Sequence, residues 1–225
     1  MLFRSEDEKV TSFLPVEEYK DGHFIIMATR NGVVKKTALK AFEKRYAPGL
    51  RAINLDEGDK LIGTIITDGK DEVCLASESG KAIRFSEGDV RPMGRSARGV
   101  RGMRIKKDQQ IISLMVADNE KEILCVSENG FGKKTPVDDF PTHNRGGQGV
   151  ISIKTSERNG LMVASTLVDN NDGIMLISDK GTMIRTSAEQ IPTISRNTQG
   201  VKIITPKEGE KILECVRIDP EDEEE

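Results

Sequence analysis

EILCVSENGFGKKT, residues 122–135, sets four apolar side chains in succession, turns on Asn129-Gly130 and returns through two lysines. Consecutive apolar positions, unlike alternating ones, ask for burial on both faces of a strand. Asn-Gly is a hairpin signal, because both turn residues take positive φ cheaply. The segment therefore predicts a hairpin in a sheet that is covered above and below. Arg30-Asn31-Gly32 carries the same turn signal.

The pattern recurs along the chain. FIIMAT (24–29), EVCLAS (72–77) and GIMLIS (173–178) match EILCVS (122–127), and the four runs lead to Gly32, Gly80, Gly130 and Gly181. A second glycine series, Gly49, Gly99, Gly149 and Gly200, precedes LRAI, VRGMRI, VISI and VKII. A third marker is the apolar opener of another strand: Val10, Leu61, Ile111, Leu161 and Ile212. All three series repeat about every fifty residues, with no helical period of useful length between them. The expected fold is all-β and propeller-like, with small sheets stacked radially so that each covers its neighbours. The chain has no Trp, which separates it from the aromatic-rich propeller repeats. Four repeats fit, at 11–60, 61–110, 111–160 and 161–218, with 1–10 a remnant of a preceding blade and 219–225 an acidic tail. Four blades either close a ring or form an open arc with exposed edges.

Composition narrows the chemistry. The longest apolar runs in the 225 residues are four or five long, too short for a membrane-spanning helix, and the N-terminus MLFRSEDEK is charged from its fourth residue. A cytoplasmic location is expected. Cys74, Cys125 and Cys215 lie in strand contexts without a CxxC pair and read as buried, reduced thiols. With only His23 and His143, and no GxxxxGK[ST], HExxH or GxSxG, catalysis has little to draw on. Tyr46 beside Arg45 reads as a loop residue, with Pro48 and Gly49 next to it. Residues 219–225 carry six carboxylates and no base, so a chain of net charge −3 has a body of net charge +3.

Bases occupy two columns of the repeat. Lys36, Arg84, Lys134 and Arg185 follow the first glycine series by four residues; Arg45, Arg95, Arg145 and Arg196 precede the second by four. Lys35, Lys133, Arg98, Arg101, Arg104, Arg51 and Lys202 sit near them. In a radial array each column becomes a stripe of positive charge. The bland reading is a solvated strand end copied by duplication. The functional one is a polyanion track: evenly spaced bases neutralise duplex phosphates without reading sequence, whereas single strands call for aromatic stacking platforms that this chain lacks. The competing class is a propeller that docks proteins. GGQG, 146–149, is either an amide cradle for phosphate or a glycine-rich surface turn.

VRPMGRSARGVRGMRI (90–105), NGFGKKT (129–135), GVISIKTSERNGL (149–161) and ISRNTQGV (194–201) resemble the C-terminal domain of the bacterial DNA gyrase A protein, and the likeness runs through the whole chain. The equivalent domain of topoisomerase IV looks less similar. The resemblance implies a six-bladed β-pinwheel, of which these repeats are the last four, as an open arc. The column bases and their neighbours, Lys35, Lys36, Arg45, Arg84, Arg95, Arg98, Arg101, Lys133, Lys134, Arg145, Arg185, Arg196 and Lys202, are expected to bind duplex DNA, and the resemblance implies a perimeter that bends and wraps it in support of ATP-dependent negative supercoiling. The family's signature heptapeptide, QRRGGKG or close to it, belongs to its first blade; HNRGGQG (143–149) keeps Arg145, Gly146, Gly147 and Gly149 but lacks two of its bases. The first two blades and the catalytic breakage-reunion region are expected to lie outside these residues, so the chain alone is not expected to be an enzyme. The implied partners are duplex DNA, the rest of the gyrase A protein and the gyrase B protein in an A2B2 complex, with no membrane. No cofactor is expected in this chain. ATP and Mg2+ serve the parent type II topoisomerase elsewhere, and the location is cytoplasmic and chromosome-associated.

Overall fold

Aliphatic and β-branched runs form strands here because each lies in a sheet that packs against at least one neighbouring sheet. The computed structural model describes residues 10–44, 46 and 49–218. The first repeat gives β1 (Phe24–Thr29) and β2 (Val33–Ala38), and the second gives β3 (Leu61–Thr67), β4 (Glu72–Ser77), β5 (Lys81–Ser86) and the two-residue β6 (Val100–Arg101). The third gives β7 (Ile111–Val116), β8 (Glu122–Ser127), β9 (Phe131–Pro136) and β10 (Val150–Ile151). The fourth gives β11 (Met162–Val168), β12 (Gly173–Ser178), β13 (Met183–Ser187), β14 (Val201–Lys202) and β15 (Ile212–Ile218). Short 3-10 turns follow β2, β5, β9 and β13, and no α-helix occurs among the described residues.

The strands make four antiparallel sheets, in the orders β3-β1-β2-β6, β10-β5-β4-β7, β11-β8-β9-β14 and β13-β12-β15. Each of the first three contains the hairpin of one repeat and two strands from the next. The long connection after each hairpin, here called a tongue (39–60, 87–110, 137–161 and 188–211), explains this. The second tongue reaches back so that Val100 and Arg101 pair with Val34 and Val33 of β2. The third and fourth tongues do the same for β5 and β9. A blade is therefore not one contiguous stretch of chain, and neighbouring repeats interlock. Among the described residues the last sheet has three strands, with β13 at one edge.

The hairpin turns differ from the expected geometry. Asn31 and Asn129 keep negative φ; among the described residues only glycines are positive. The first three turns are three-residue loops, 30–32, 78–80 and 128–130, each ending on a left-handed glycine, the arrangement of a type I turn followed by a bulge. Gly80 shows why the residue is glycine: φ is +75°, and a Cβ there would lie 2.1 Å from the Ile153 carbonyl. The third tongue passes so close that Ser152 N and Ile153 N both donate to the Gly80 carbonyl, at 2.8 and 3.1 Å.

Burial on both faces follows from the stacking. Ile26, Ala28 and Val34 of the first sheet pack on Val73, Leu75, Ile83 and Phe85 of the second, with Val90 and Met103 of the second tongue between them. The other faces of the second and third sheets meet through Cys74, Ala76, Ala82, Ile123 and Cys125. Leu124 and Val126 meet Ile174 and Leu176 of the last sheet. The two ends of the stack differ. Leu14, Val16 and Tyr19 of the N-terminal segment cover Ile25 and Met27 of the first sheet. On the last sheet Met183, Leu213 and Val216 are exposed.

Candidate nucleic-acid interface

The first column of bases does not form a surface stripe. Arg84 lies on β5, 8% exposed, where its Nε donates to Glu72 Oε2 at 2.7 Å and its guanidinium reaches Asn119 Oδ1 and the Val137 carbonyl, at 2.7 and 3.2 Å. Lys134 on β9 pairs with Glu122 at 2.9 Å and donates to Asn170. The next tongue locks over both pairs: the Thr142 hydroxyl donates to Glu72 and the Thr193 hydroxyl to Glu122, each at 2.6 Å. Burial raises the Glu72 carboxyl, but the Thr142 hydroxyl and the Arg84 guanidinium outweigh it and hold the group below its usual range. In the first sheet Phe24 stands where the next two have glutamate. Lys36 sits 4.2 Å from the Phe24 ring centroid and pairs instead with Glu87 of the second tongue, at 2.7 Å. The Glu87 carboxylate, wholly buried, also accepts from Thr67 Oγ1, Gly69 N and Asp71 N.

Lys35 and Lys133 are buried as well. Lys35 donates to the Ala52 and Arg95 carbonyls, joining the first and second tongues, and burial pushes its ammonium down to about 8. Lys133 donates to Thr135 Oγ1, and burial lowers its pKa too. Lys35, Lys36, Arg84, Lys133 and Lys134, expected on a surface stripe, are instead buried in ion pairs or under tongues. Arg185, their counterpart on β13, is exposed.

The second column lies on the tongues, half-buried. Arg145 donates to the Asp89 and Arg101 carbonyls, both at 2.9 Å; Arg196 donates to the Ile151 carbonyl at 3.1 Å and lies over the Phe140 ring. Each arginine clips its tongue to the one before. Backbone bonds continue the ladder, from Asn54 N to Ala97 O, Arg104 N to Gly147 O and Lys154 N to Thr198 O. Arg95 is half-buried in the equivalent place, and Arg45 lies outside the described residues. Gly146 N and the Gly147 carbonyl are spent in this ladder, and a Cβ on Gly149 would strike the Ala82 carbonyl, so GGQG is a packing turn.

Much of the accessible positive charge is on the tongues. Arg51, Arg98, Arg101, Arg104, Lys106, Lys107, Lys154 and Lys202 are exposed there, and Arg98 pairs with Asp56 at 2.9 Å. Lys106, Lys107 and Lys154 escaped the sequence reading because no all-basic column runs through them: Asn54 and Thr205 share the column of Arg104 and Lys154, and Asp56 and Ser156 share that of Lys106. The three thiols are free, as expected, and burial drives Cys74 and Cys215 up to about 12. They are poor nucleophiles.

The family described as DNA gyrase C-terminal domain, beta-propeller, matches residues 23–68, 71–118, 121–168 and 174–219. The DNA gyrase A protein of Salmonella typhimurium is 47% identical over 220 residues, which cover 97% of this chain and 25% of that protein. The DNA gyrase A protein of Escherichia coli is 46% identical over 225 residues, covering 100% and 26%. This chain spans about a quarter of the length of these relatives. Among solved structures, a C-terminal domain of DNA topoisomerase IV superposes with a TM-score of 0.86 at 25% identity, covering 92% of this chain and 65% of that one. A DNA gyrase A C-terminal domain superposes at 0.84 and 22% identity, covering 96% and 72%, a likeness of fold.

Proposed function

The chain belongs to the DNA gyrase C-terminal domain family, and from that premise we propose that it binds and bends duplex DNA of any sequence along the ladder of tongues. The observation that carries this reading is the run of exposed cations on successive tongues, Arg101 and Arg104, Lys154, then Lys202, on a scaffold held rigid by its own hydrogen bonds. Point charges at repeat spacing suit phosphates, and phosphate contacts position a duplex without reading it. Arg95, Arg145, Arg185 and Arg196 belong to the same track, with Arg98 available once it leaves Asp56. The role of the chain is mechanical. It presents bent DNA to the rest of the gyrase A protein and to the gyrase B protein, an A2B2 enzyme in the bacterial cytoplasm whose ATP- and Mg2+-dependent strand passage takes place elsewhere.

Duplexes of unrelated sequence, titrated at several salt concentrations, test this. Log affinity is expected to fall linearly with log salt and to be the same for each sequence. A flat salt response or strong sequence preference overturns the reading. A second measurement addresses wrapping: plasmid relaxed in the presence of the chain is expected to keep its linking number, because four blades bend DNA without closing a wrap. A shift toward positive constrained supercoils would show that four blades suffice.

A further inference from the structure

A cavity of about 340 Å³ opens where three segments meet at one end of the second blade. It is lined by Ser79 of the β4–β5 turn, Lys81 at the start of β5, Arg104 and Lys106 at the end of the second tongue, and Gln148 and Thr155 of the third. Hydrogen bonds join the segments: Thr155 Oγ1 donates to the Ser79 carbonyl at 3.3 Å, Lys81 Nζ to Gln148 Oε1 at 3.4 Å, and Arg104 N to the Gly147 carbonyl at 2.8 Å. The cavity is therefore built by fixed backbone and not by a loose surface loop.

Its charge is unusual for this molecule. Three cations line it and no carboxylate does. The corresponding opening on the first repeat has Asn54 in place of Arg104, and its Arg98 is paired with Asp56. The cavity beside Arg185 includes Asp172 and Glu189, and the one beside Arg84 includes Asp71, Glu72 and Asp118. Like charges held together repel, and an anion between them relieves that repulsion. Two ammonium groups, a guanidinium, a hydroxyl and an amide offer many donors around one centre, which suits a tetrahedral oxyanion with several acceptor oxygens.

We propose that this cavity seats a phosphate group, and that the group is a backbone phosphodiester of duplex DNA, fixed at one point of the rim. The assignment of the duplex rests on the function proposed above; the affinity for phosphate rests on the cavity alone. The test compares the whole chain with two double variants. Lys81→Gln with Arg104→Gln empties the cavity of two charges; Lys70→Gln with Lys121→Gln removes two charges next to the opposite ends of β4 and β8. The first pair is expected to lower the salt slope of duplex binding by about 1 and to weaken binding several-fold at low salt for every sequence, while the control pair leaves the slope unchanged. Tripolyphosphate, followed by backbone amide shifts, is expected to perturb residues 79–81, 104–106 and 148 and to be displaced by duplex. An unchanged slope in the cavity variant, when the unaltered chain binds duplex with its full salt dependence, overturns the proposal. Tripolyphosphate that duplex does not displace assigns the cavity to a free phosphate compound and overturns the duplex assignment. If the unaltered chain binds no duplex at any salt, the proposed function fails first, and amide shifts with tripolyphosphate then report on the cavity separately.

Discussion

The bases on the hairpins and the bases on the tongues look alike in the sequence and end up on opposite sides of the protein surface. Lys36, Arg84 and Lys134 are buried in ion pairs that lock one blade to the next tongue. Arg101, Arg104, Lys154 and Lys202 stand in solvent. The difference teaches that a residue type repeated once per blade marks a shared structural position, and says nothing about which way that position faces. A strand between two sheets has no solvent side. A base placed there either brings its carboxylate with it or suffers desolvation. The tongue crosses the outside of the blade, where bases such as Arg101, Arg104 and Lys154 are left exposed.

The largest test of that contrast removes the counter-ion from a buried base. Glu87→Ala leaves Lys36 charged and buried, and strips the acceptor from Thr67, Gly69 and Asp71; a loss of about 3–5 kcal/mol is expected in urea unfolding. A loss below about 1 kcal/mol would mean that the pair is not a latch. Charge reversal on the tongues should do the converse. Arg101→Glu with Lys202→Glu is expected to weaken duplex binding by about tenfold or more at low salt, with stability held within about 0.5 kcal/mol.

Adjacent buried lysines sharpen the comparison. Lys134 has Glu122, whereas Lys133 has, among the described residues, only the Thr135 hydroxyl. Lys133→Met is expected to leave the melting temperature unchanged or raise it, and Lys134→Met to lower it, because only the second strands a carboxylate. Lys35 supplies a pH test. Its folded-state pKa of about 8 lies below its usual 10.5, so between those values the unfolded chain holds more protons. Its contribution to stability is expected to rise from about pH 8 toward pH 10.5 and to be missing in Lys35→Met, which paired urea titrations at each pH would read. The smallest effect expected is that of the acidic tail, 219–225, which lies outside the described residues. Removing it is expected to tighten duplex binding modestly at low salt, by relieving competition for the tongues, with the gain vanishing as the Debye length shortens. Equal affinities at low salt would rule that competition out.

Much of the architecture was legible before any coordinates. Runs such as EILCVS cannot be soluble on one face, so their four-fold recurrence already required sheets stacked on sheets, and Gly80 and Gly130 marked the turns. The left-handed glycine held, but the paired asparagines kept negative φ, because a three-residue loop needs only its last residue in that region. The interface was less legible. The exposed tongue bases at 98, 101 and 202 were picked out only as neighbours of the two columns, and the buried Lys35, Lys36, Arg84, Lys133 and Lys134 look no different from them in the sequence.

The sequence by itself determined the repeat, the strands and the positive balance of the body, since these depend on local composition and on a period that recurs four times. Tertiary structure alone decided which repeat completes which sheet and which bases remain outside. Strand exchange runs through the long β3, β7 and β11 and through the two-residue strands Val100–Arg101, Val150–Ile151 and Val201–Lys202, which are too short to show in the sequence which hairpin they join. The burial of Lys36 depends on Glu87, fifty-one residues away and on the next tongue, and such a pairing exists only once the blades have stacked.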